Sequence, residues 1–276
     1  MNRLATVGDN VVDIYPALGR AFPGGNTVNV AVAARRSGAQ AAYIGAVGAG
    51  PDGAVVRAAL AAEQVETTRM RIIDGPNAYS TIDLVDGDRV FGRHDLGVSV
   101  FRLEQADLAY LSQFWCVHTG DTSSTEDQLA DLAAMVRVSF DFSDRPAEYY
   151  QPLLPRIWFA CFSGSHLGTA EAVDLAHRSA AAGPEYVLVT QGSRGALLRT
   201  PDGGICQVPA RDFRPVDTTG AGDAVIGCVL ARLMLGDDPE TALRASQELA
   251  AAHCMHHGAF GYGEHLDDRW AAAMAG

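Results

Sequence analysis

The sequence predicts an α/β fold built on a mainly parallel sheet. Apolar runs of strand length alternate with Ala-rich runs of helical length along nearly the whole chain. No repeat, low-complexity tract or linker interrupts the alternation. One stretch alone departs from it, residues 77–91, which reads as a β-hairpin.

The elements follow in order. Residues 4–8 form a first strand, β-branched and closed by a glycine. Residues 9–15 are extended and free to pair with the later hairpin. A helix over 27–37 is rich in Ala and Val and stops at Gly38. A strand over 42–47 and a helix over 53–63 come next. In the hairpin, Tyr79, Thr81, Asp83 and Val85 share one face, Asp86-Gly87-Asp88 make the turn, and Arg89-Val90-Phe91 return. Strands over 114–118, 138–142, 157–162 and 186–190 alternate with helices over 125–135 and 169–182. Two helices, 221–235 and 239–256, close the fold. A small sheet standing off such a body serves either as cover for a site or as an ordinary edge hairpin.

A chain of 276 residues fits one large domain or two small ones, and 48% hydrophobic residues suffice for a sizeable core. The net charge of −12 argues against nucleic acid or an anionic membrane surface as partner, but not against a nucleotide held in a local site. The first residues read as a strand rather than a signal peptide, and no apolar run is long enough to span a bilayer. Five scattered cysteines without a CxxC read as reduced core residues of a cytosolic protein. There is no lysine, so all 21 basic residues are arginine. This excludes a P-loop lysine and any Schiff-base chemistry.

Asp217-Thr218-Thr219-Gly220-Ala221-Gly222-Asp223 is the most informative stretch. It is a Gly-rich turn opening an apolar helix. Helix-terminal N–H groups and the helix dipole make such a turn an anion site. A carboxylate beside a phosphate cradle, Asp223, suits a base that takes a proton from an attacking hydroxyl. The plainer reading, a capped helix start with Asp223 favouring the first turn, weighs about equally for the heptapeptide alone. A second stretch, Pro23-Gly24-Gly25-Asn26-Thr27-Val28-Asn29, places two amides one turn apart behind a Gly pair. Asn26 reads equally as an N-cap. Asn29, inside an Ala/Val helix, has no capping task, so a ligand role suits it better.

Gly24-Gly25-Asn26, Asn29, Gly38 and Gly48, together with residues 217–223, resemble the paired signatures of the ribokinase-like (PfkB) carbohydrate kinases. The resemblance spans nearly the whole chain. It implies one three-layer α/β/α domain over residues 1–276, with a small β-sheet lid from segments about 9–22 and 75–100. It implies ATP, Mg²⁺ and, in some members, a monovalent cation such as K⁺. The reaction implied is γ-phosphate transfer to a sugar hydroxyl, in a cytoplasmic protein that pairs through its lid into a homodimer. By the same resemblance Asp223 is the base, the backbone of Gly220, Ala221 and Gly222 holds developing charge, and Asp13, Gly25 and Asn29 bind the sugar.

Four further stretches are similar to the bacterial fructoselysine 6-kinases: Gly8-Asp9-Asn10-Val11-Val12-Asp13-Ile14-Tyr15-Pro16, Ala21-Phe22-Pro23-Gly24-Gly25-Asn26, Asp88-Arg89-Val90-Phe91-Gly92 and Phe140-Asp141-Phe142-Ser143-Asp144. They imply a glycated amino acid as acceptor, phosphorylated on its 6-hydroxyl. Another sugar or sugar-acid kinase, fructokinase-like, and a catalytically silent sugar-binding regulator remain the alternatives.

Thr190-Gln191-Gly192-Ser193-Arg194-Gly195 follows a strand and resembles the family's nucleotide-phosphate loop, with Thr190, Gly192, Arg194 and Gly195 as contacts. His253 and His257 fall where the family places its adenine pocket; helix-end histidines also simply satisfy terminal carbonyls. Gly48-Ala49-Gly50-Pro51-Asp52-Gly53 matches GxGxxG, a weak pointer to a dinucleotide site. Many relatives carry Asn-x-x-Glu for Mg²⁺ where this chain has Ser163-Gly164-Ser165-His166. Glu171 replaces it only if the loop reaches, so the metal ligands are unknown. Gly92-Arg93-His94-Asp95-Leu96-Gly97, after the hairpin, offers Arg93 for a substrate carboxylate, Asp95 for its ammonium and His94 for the sugar. A solvated loop is the plainer alternative.

Overall fold

The computed structural model describes residues 3–85 and 88–270. The chain runs through β1 (Arg3–Val7), β2 (Val11–Tyr15), β3 (Arg20–Gly24), α1 (Asn26–Arg36), β4 (Gln40–Ile44), β5 (Ala46–Gly48), α2 (Pro51–Ala62) and β6 (Arg71–Ile73). It continues through β7 (Tyr79–Val85), β8 (Asp88–Asp95), α3 (Gln105–Leu111), β9 (Cys116–Gly120), α4 (Leu129–Met135), β10 (Val138–Asp141), α5 (Ala147–Tyr150) and β11 (Phe159–Ser163). It closes with α6 (Thr169–Ala181), β12 (Tyr186–Thr190), β13 (Ala196–Arg199), β14 (Ile205–Val208), α7 (Ala221–Leu235), α8 (Pro239–His253) and β15 (Glu264–His265).

The main sheet has eight strands in the order β14-β13-β12-β11-β10-β9-β1-β4. The six from β12 to β4 run parallel, and β13 and β14 extend the edge antiparallel. Both faces are apolar, as a parallel sheet requires. On one, Val30, Ala34, Val225, Val229 and Leu243 of α1, α7 and α8 pack on Leu4, Phe159, Leu188 and Leu198. On the other, Leu108, Leu132, Ala172 and Ala176 of α3, α4 and α6 pack on Ala5, Val117, Phe140 and Val187. The expected three-layer α/β/α architecture is present.

A second sheet of five strands, β15-β3-β2-β7-β8, stands beside it. The stretch at 9–15 pairs with the hairpin as expected, β2 parallel to β7. Val12, Ile14 and Ala21 on one face share a core with Val28, Ala31 and Val32 of α1 and with α2. Asp13 lies in register with Phe22 and Ser80, and Ser80 with His94, so these four share the other face.

Local chemistry accounts for the differences from expectation. The strand read over 42–47 breaks at Gly45, where a Cβ would lie 1.9 Å from the Tyr43 hydroxyl. The helix read over 125–135 opens with a 3₁₀ turn at Glu126–Gln128 before α4. The last helix ends at His253, three residues early. Residues 92–95 are not a loop after the hairpin but part of β8. A bulge sets Gly92 and Arg93 opposite Thr81 and carries the strand past the glycine. Asp86 and Gly87 of the expected turn lie outside the described residues. The structure adds an antiparallel β13–β14 pair to the expected strands, joined by the turn sequence Pro201-Asp202-Gly203-Gly204.

Candidate active site

The carboxyl ends of β1, β9, β10, β11 and β12 converge on one edge of the main sheet, where open α/β sheets place their ligands. Gly25 at the start of α1 has φ +104°, and a Cβ there would lie 2.7 Å from the Asn10 Cα. Only glycine fits. Its missing side-chain cap is supplied from the end of β1. The Asp9 carboxylate accepts the N–H of Asn26 at 2.8 Å and of Thr27 at 3.3 Å, and Thr27 Oγ1 donates to the Asp9 carbonyl at 2.6 Å. Ser123 Oγ donates to Asp9 Oδ1, the oxygen that also takes the Thr27 N–H, at 3.0 Å. Asp9, absent from the sequence-level candidates, thus fixes the helix that carries Asn26 and Asn29.

Both amides reach Asp223 on the first turn of α7. Asn26 Nδ2 donates to Asp223 Oδ1 at 2.8 Å and Asn29 Nδ2 to Asp223 Oδ2 at 2.7 Å. Asn26 Nδ2 also donates to Asp141 Oδ2, at the end of β10, at 2.9 Å. Burial, followed by the charge of Asp223, pushes the Asp141 carboxyl up to about 8. The Oδ1 of Asn29 is buried without a hydrogen-bond partner. Asp121 follows on the β9 end; burial raises its carboxyl and Arg145 Nε, 2.7 Å away, partly offsets that.

The glycine turn has the form its sequence suggests. Gly220 is left-handed at φ +71°, with Ala259 Cβ 2.5 Å from where its own Cβ would be. At Gly222 a Cβ would meet nothing within 4 Å, so the turn is open there. The Ala221 N–H turns back to the Thr218 carbonyl at 3.2 Å. Asp217 holds the turn. Its Oδ1 accepts from Thr219 N and Oγ1 at 2.9 and 2.7 Å, and its Oδ2 from Tyr15 OH and Gly258 N at 2.7 and 3.0 Å. Burial alone would raise this carboxyl, but those hydrogen bonds hold it below its ordinary value. Through Tyr15, whose hydroxyl also lies 2.9 Å from Thr219 Oγ1, the five-stranded sheet is tied to the turn. Tyr15 was not singled out from the sequence, where a strand tyrosine reads as core.

A cleft of about 460 Å³ opens on the other side of the turn. Thr190, Gly192 and Gly195 line it with Gly222 and Ala221, as do Phe213, Pro215, Ala250 and Ala251. Three expected nucleotide contacts sit elsewhere. The Arg194 guanidinium donates to the carbonyls of Leu167, Ser165 and Gly164, at 2.5, 3.2 and 3.4 Å, and clamps that loop. His253 is on the wrong face of α8. The helix turns positions 247, 250, 251 and 254 to the cleft, leaving His253 Nε2 3.1 Å from Arg36 Nη1. Burial and Arg36 push His253 down to about 4. His257 lies edge-on to Tyr15, 6.4 Å between ring centres, in a separate depression with Arg20 and Tyr262.

Asp13 is buried, and a Cβ at Gly24 would fall 2.5 Å from its Oδ2, so its carboxylate rests against the Gly24-Gly25 turn. Arg93 and His94 lie on β8, Arg93 taking a 3.3 Å hydrogen bond from Thr81 Oγ1 on its carbonyl. Asp95 Oδ1 accepts the Gly97 N–H at 2.8 Å, closing its own turn. Glu171 does not reach the site; its Oε2 caps α6 through Gly168 N at 2.7 Å. The GxGxxG stretch is no dinucleotide site. Its backbone is closed on itself, with Arg57 donating to the Gly48, Ala49 and Gly50 carbonyls and Asn77 Oδ1 accepting the Gly48 N–H at 3.0 Å.

A three-layer body with a small sheet beside its strand ends, and a carboxylate on a glycine-headed helix between them, defines the ribokinase-like class. Within it, the chain belongs to the pfkB family of carbohydrate kinases, whose profile matches residues 8–261. It is a carbohydrate kinase. It is 38% identical over 267 residues to fructosamine kinase FrlD of Bacillus subtilis, covering 95% of this chain and 94% of that protein. It is 35% identical over 264 residues to fructoselysine 6-kinase of Escherichia coli, covering 94% of this chain and all of that one. Among solved structures, the ribokinase of Arabidopsis thaliana complexed with ribose and ATP superposes with a TM-score of 0.82 at 18% identity, covering 99% and 98% of the two chains.

Proposed function

We propose that this kinase transfers the γ-phosphate of ATP to the 6-hydroxyl of a fructosamine such as fructoselysine. The observation that carries the chemistry is Asp223, held on both oxygens by Asn26 and Asn29 at the head of α7 and beside a cleft lined by Thr190, Gly192 and Gly195. A carboxylate so fixed is placed to accept a hydroxyl proton. The glycine-headed first turn of α7, apart from the Ala221 N–H that turns back to Thr218, faces the charge that develops on the phosphoryl group. The apolar wall of Phe213, Pro215, Ala250 and Ala251 suits a purine base. On the sugar side, Asp13 accepts hydroxyl protons beside Gly25, and the unpartnered Asn29 Oδ1 supplies another acceptor.

The choice of a fructosamine rests on the two relatives named for that activity, at 35–38% identity over nearly the full chain. Arg93 and His94 on β8 are the groups we assign to the amino-acid end of the substrate. The five-stranded sheet acts as a lid. Val90 and Phe91 on it are exposed, 48% and 63%, which supports pairing with a second copy into a homodimer. The setting we infer is the cytoplasm, where ATP is supplied; no described helix is long and apolar enough to cross a membrane.

Mg²⁺ belongs to this reading as the partner of the ATP phosphates, whose charge it neutralises. No three metal-ligating side chains gather among the described residues.

An ADP-release screen with fructoselysine, fructose, ribose and 2-keto-3-deoxygluconate tests the reading. Fructoselysine should give the highest kcat/KM, with phosphate on its 6-oxygen by NMR. Equal or better turnover of a plain sugar would move the assignment to a fructokinase-like enzyme, and no ADP release with any of them to a silent regulator.

A further inference from the structure

His118, on β9, touches neither the cleft nor the sugar side, yet it lies on a continuous hydrogen-bonded line to Asp223. It is fully buried. Its Nε2 is 3.2 Å from Asn26 Oδ1 and its Nδ1 is 2.9 Å from Ser139 Oγ on β10. Ser139 Oγ is in turn 3.9 Å from Cys161 Sγ on β11. The chemistry sets the direction of every donor. The base Asp223 faces one end of the Asn26 amide and, as a carboxylate, only accepts, so that end is the NH₂, which also donates to Asp141 Oδ2. The other end is the carbonyl oxygen, an acceptor, so His118 Nε2 must carry a proton. Burial pushes the imidazole down to about 3, so it is neutral and has only that proton. Nδ1 is then an acceptor, filled by the Ser139 hydroxyl, and the Cys161 thiol donates to the freed Ser139 lone pair. Gly120, two residues beyond His118, keeps the space clear; a Cβ there would be 3.0 Å from Asn26 Oδ1.

We propose that His118, as the Nε2–H tautomer with its Nδ1 filled by the Ser139 hydroxyl, is a positioning residue that holds the Asn26 amide in the one orientation that tethers the catalytic carboxylate Asp223. The other tautomer would turn the Asn26 carbonyl onto the Asp223 carboxylate and push it away from its place. The inference rests on the reading of Asp223 as the base.

Two kinds of measurement separate it from that reading. Nitrogen-15 NMR of the whole protein at neutral pH should find His118 neutral with the proton on Nε2. Steady-state kinetics should then distinguish two amides of different reach. His118→Gln places an N–H where Nε2 stood and should keep kcat within about three-fold of wild type, whereas His118→Asn does not reach and should lose about ten-fold or more, with KM for ATP little changed. A residue serving the core alone would lose melting temperature in both variants and leave the two kcat values alike. That result, or an Nδ1–H tautomer, overturns the proposal. Asp223→Asn in the same assay reports on the base by itself. If that variant turns over normally the base reading falls, whereas a crippled Asp223→Asn with equal Gln and Asn variants at 118 sinks the relay alone.

Discussion

Asp141 and Asp223 are bridged by one amide nitrogen: Asn26 Nδ2 lies 2.9 Å from Asp141 Oδ2 and 2.8 Å from Asp223 Oδ1. One amide cannot satisfy two full negative charges at such range. Burial and the neighbouring charge push Asp141 up to about 8, so around neutral pH the pair carries its charge on Asp223 and its proton on Asp141. The arrangement keeps a single ionised oxygen pair pointed at the cleft.

Stability should report this. Unfolded, Asp141 releases its proton near its ordinary value of about 4. Folded, it holds the proton to about 8. Between those limits the native state binds more protons than the unfolded one, so the Asp141 contribution to stability falls as pH rises and is fully lost above the folded value. Asp141→Asn removes that loss. The variant should melt higher than wild type at pH 8.5, by about 2–4 °C for each kcal/mol relieved, and show little difference at pH 4. A melting-temperature difference that is flat with pH would mean Asp141 does not titrate in this window.

Asp223→Asn keeps the side-chain shape and both amide neighbours but cannot accept a proton. Turnover should fall on the order of 10²-fold or more while sugar binding, read by calorimetry, persists. Near-normal kcat would remove Asp223 from the mechanism.

The two ends of this site were unequally legible in the sequence. Residues 217–223 were legible as a tight turn at a helix head because Gly220 marks a left-handed backbone position directly, and local sequence carries that information. Asn29 stood out as an amide in an apolar helix. Asp9, His118 and Tyr15 did not stand out. Each acts on a residue brought to it by the fold: Asp9 caps a helix 17 positions later through Asn26, His118 meets Asn26 across 92 positions, and Tyr15 meets Asp217 across 202. Periodicity assigns such residues to strands and cannot name their partners. The misplacement of His253 has a smaller cause. Ala251 and Cys254 line the cleft, and a helix turns each successive residue through about 100°, which carries His253 off it.

The two glycines of the turn should fail differently. Gly220→Ala forces a left-handed residue and drives a methyl to 2.5 Å from Ala259 Cβ. The left-handed penalty alone is about 1 kcal/mol or more, so melting temperature and activity should drop together. Gly222→Ala meets nothing within 4 Å and should leave the melting temperature nearly unchanged. Its methyl enters the cleft, so KM for ATP or kcat should suffer alone. Equal melting losses in both would mean the turn is not open at 222.

If the lid pairs with a second copy, the exposed ring of Phe91 is its most apolar contribution. Phe91→Glu puts a charge into that contact and should shift the protein from dimer to monomer by light scattering at micromolar concentration. A wild-type monomer under the same conditions would refute the dimer and leave the lid untouched.

Arg93 carries the specificity prediction. Of the acid and base expected to hold the ammonium and carboxylate of a glycated amino acid, Asp95 is engaged with Gly97 N. The prediction is carried by the guanidinium, whose planar fork matches a carboxylate in geometry. A carboxylate on an Arg fork is lost with the fork, and the loss falls only on substrates that have the carboxylate. Arg93→Ala should reduce kcat/KM for fructoselysine about ten-fold or more while sparing fructose, a difference of about 1.4 kcal/mol between the two substrates. Fructosamines without a carboxylate should behave like fructose in both proteins. Equal losses on all three would place Arg93 with the phosphate or the fold and leave the amino-acid end of the substrate without its assigned partner on β8.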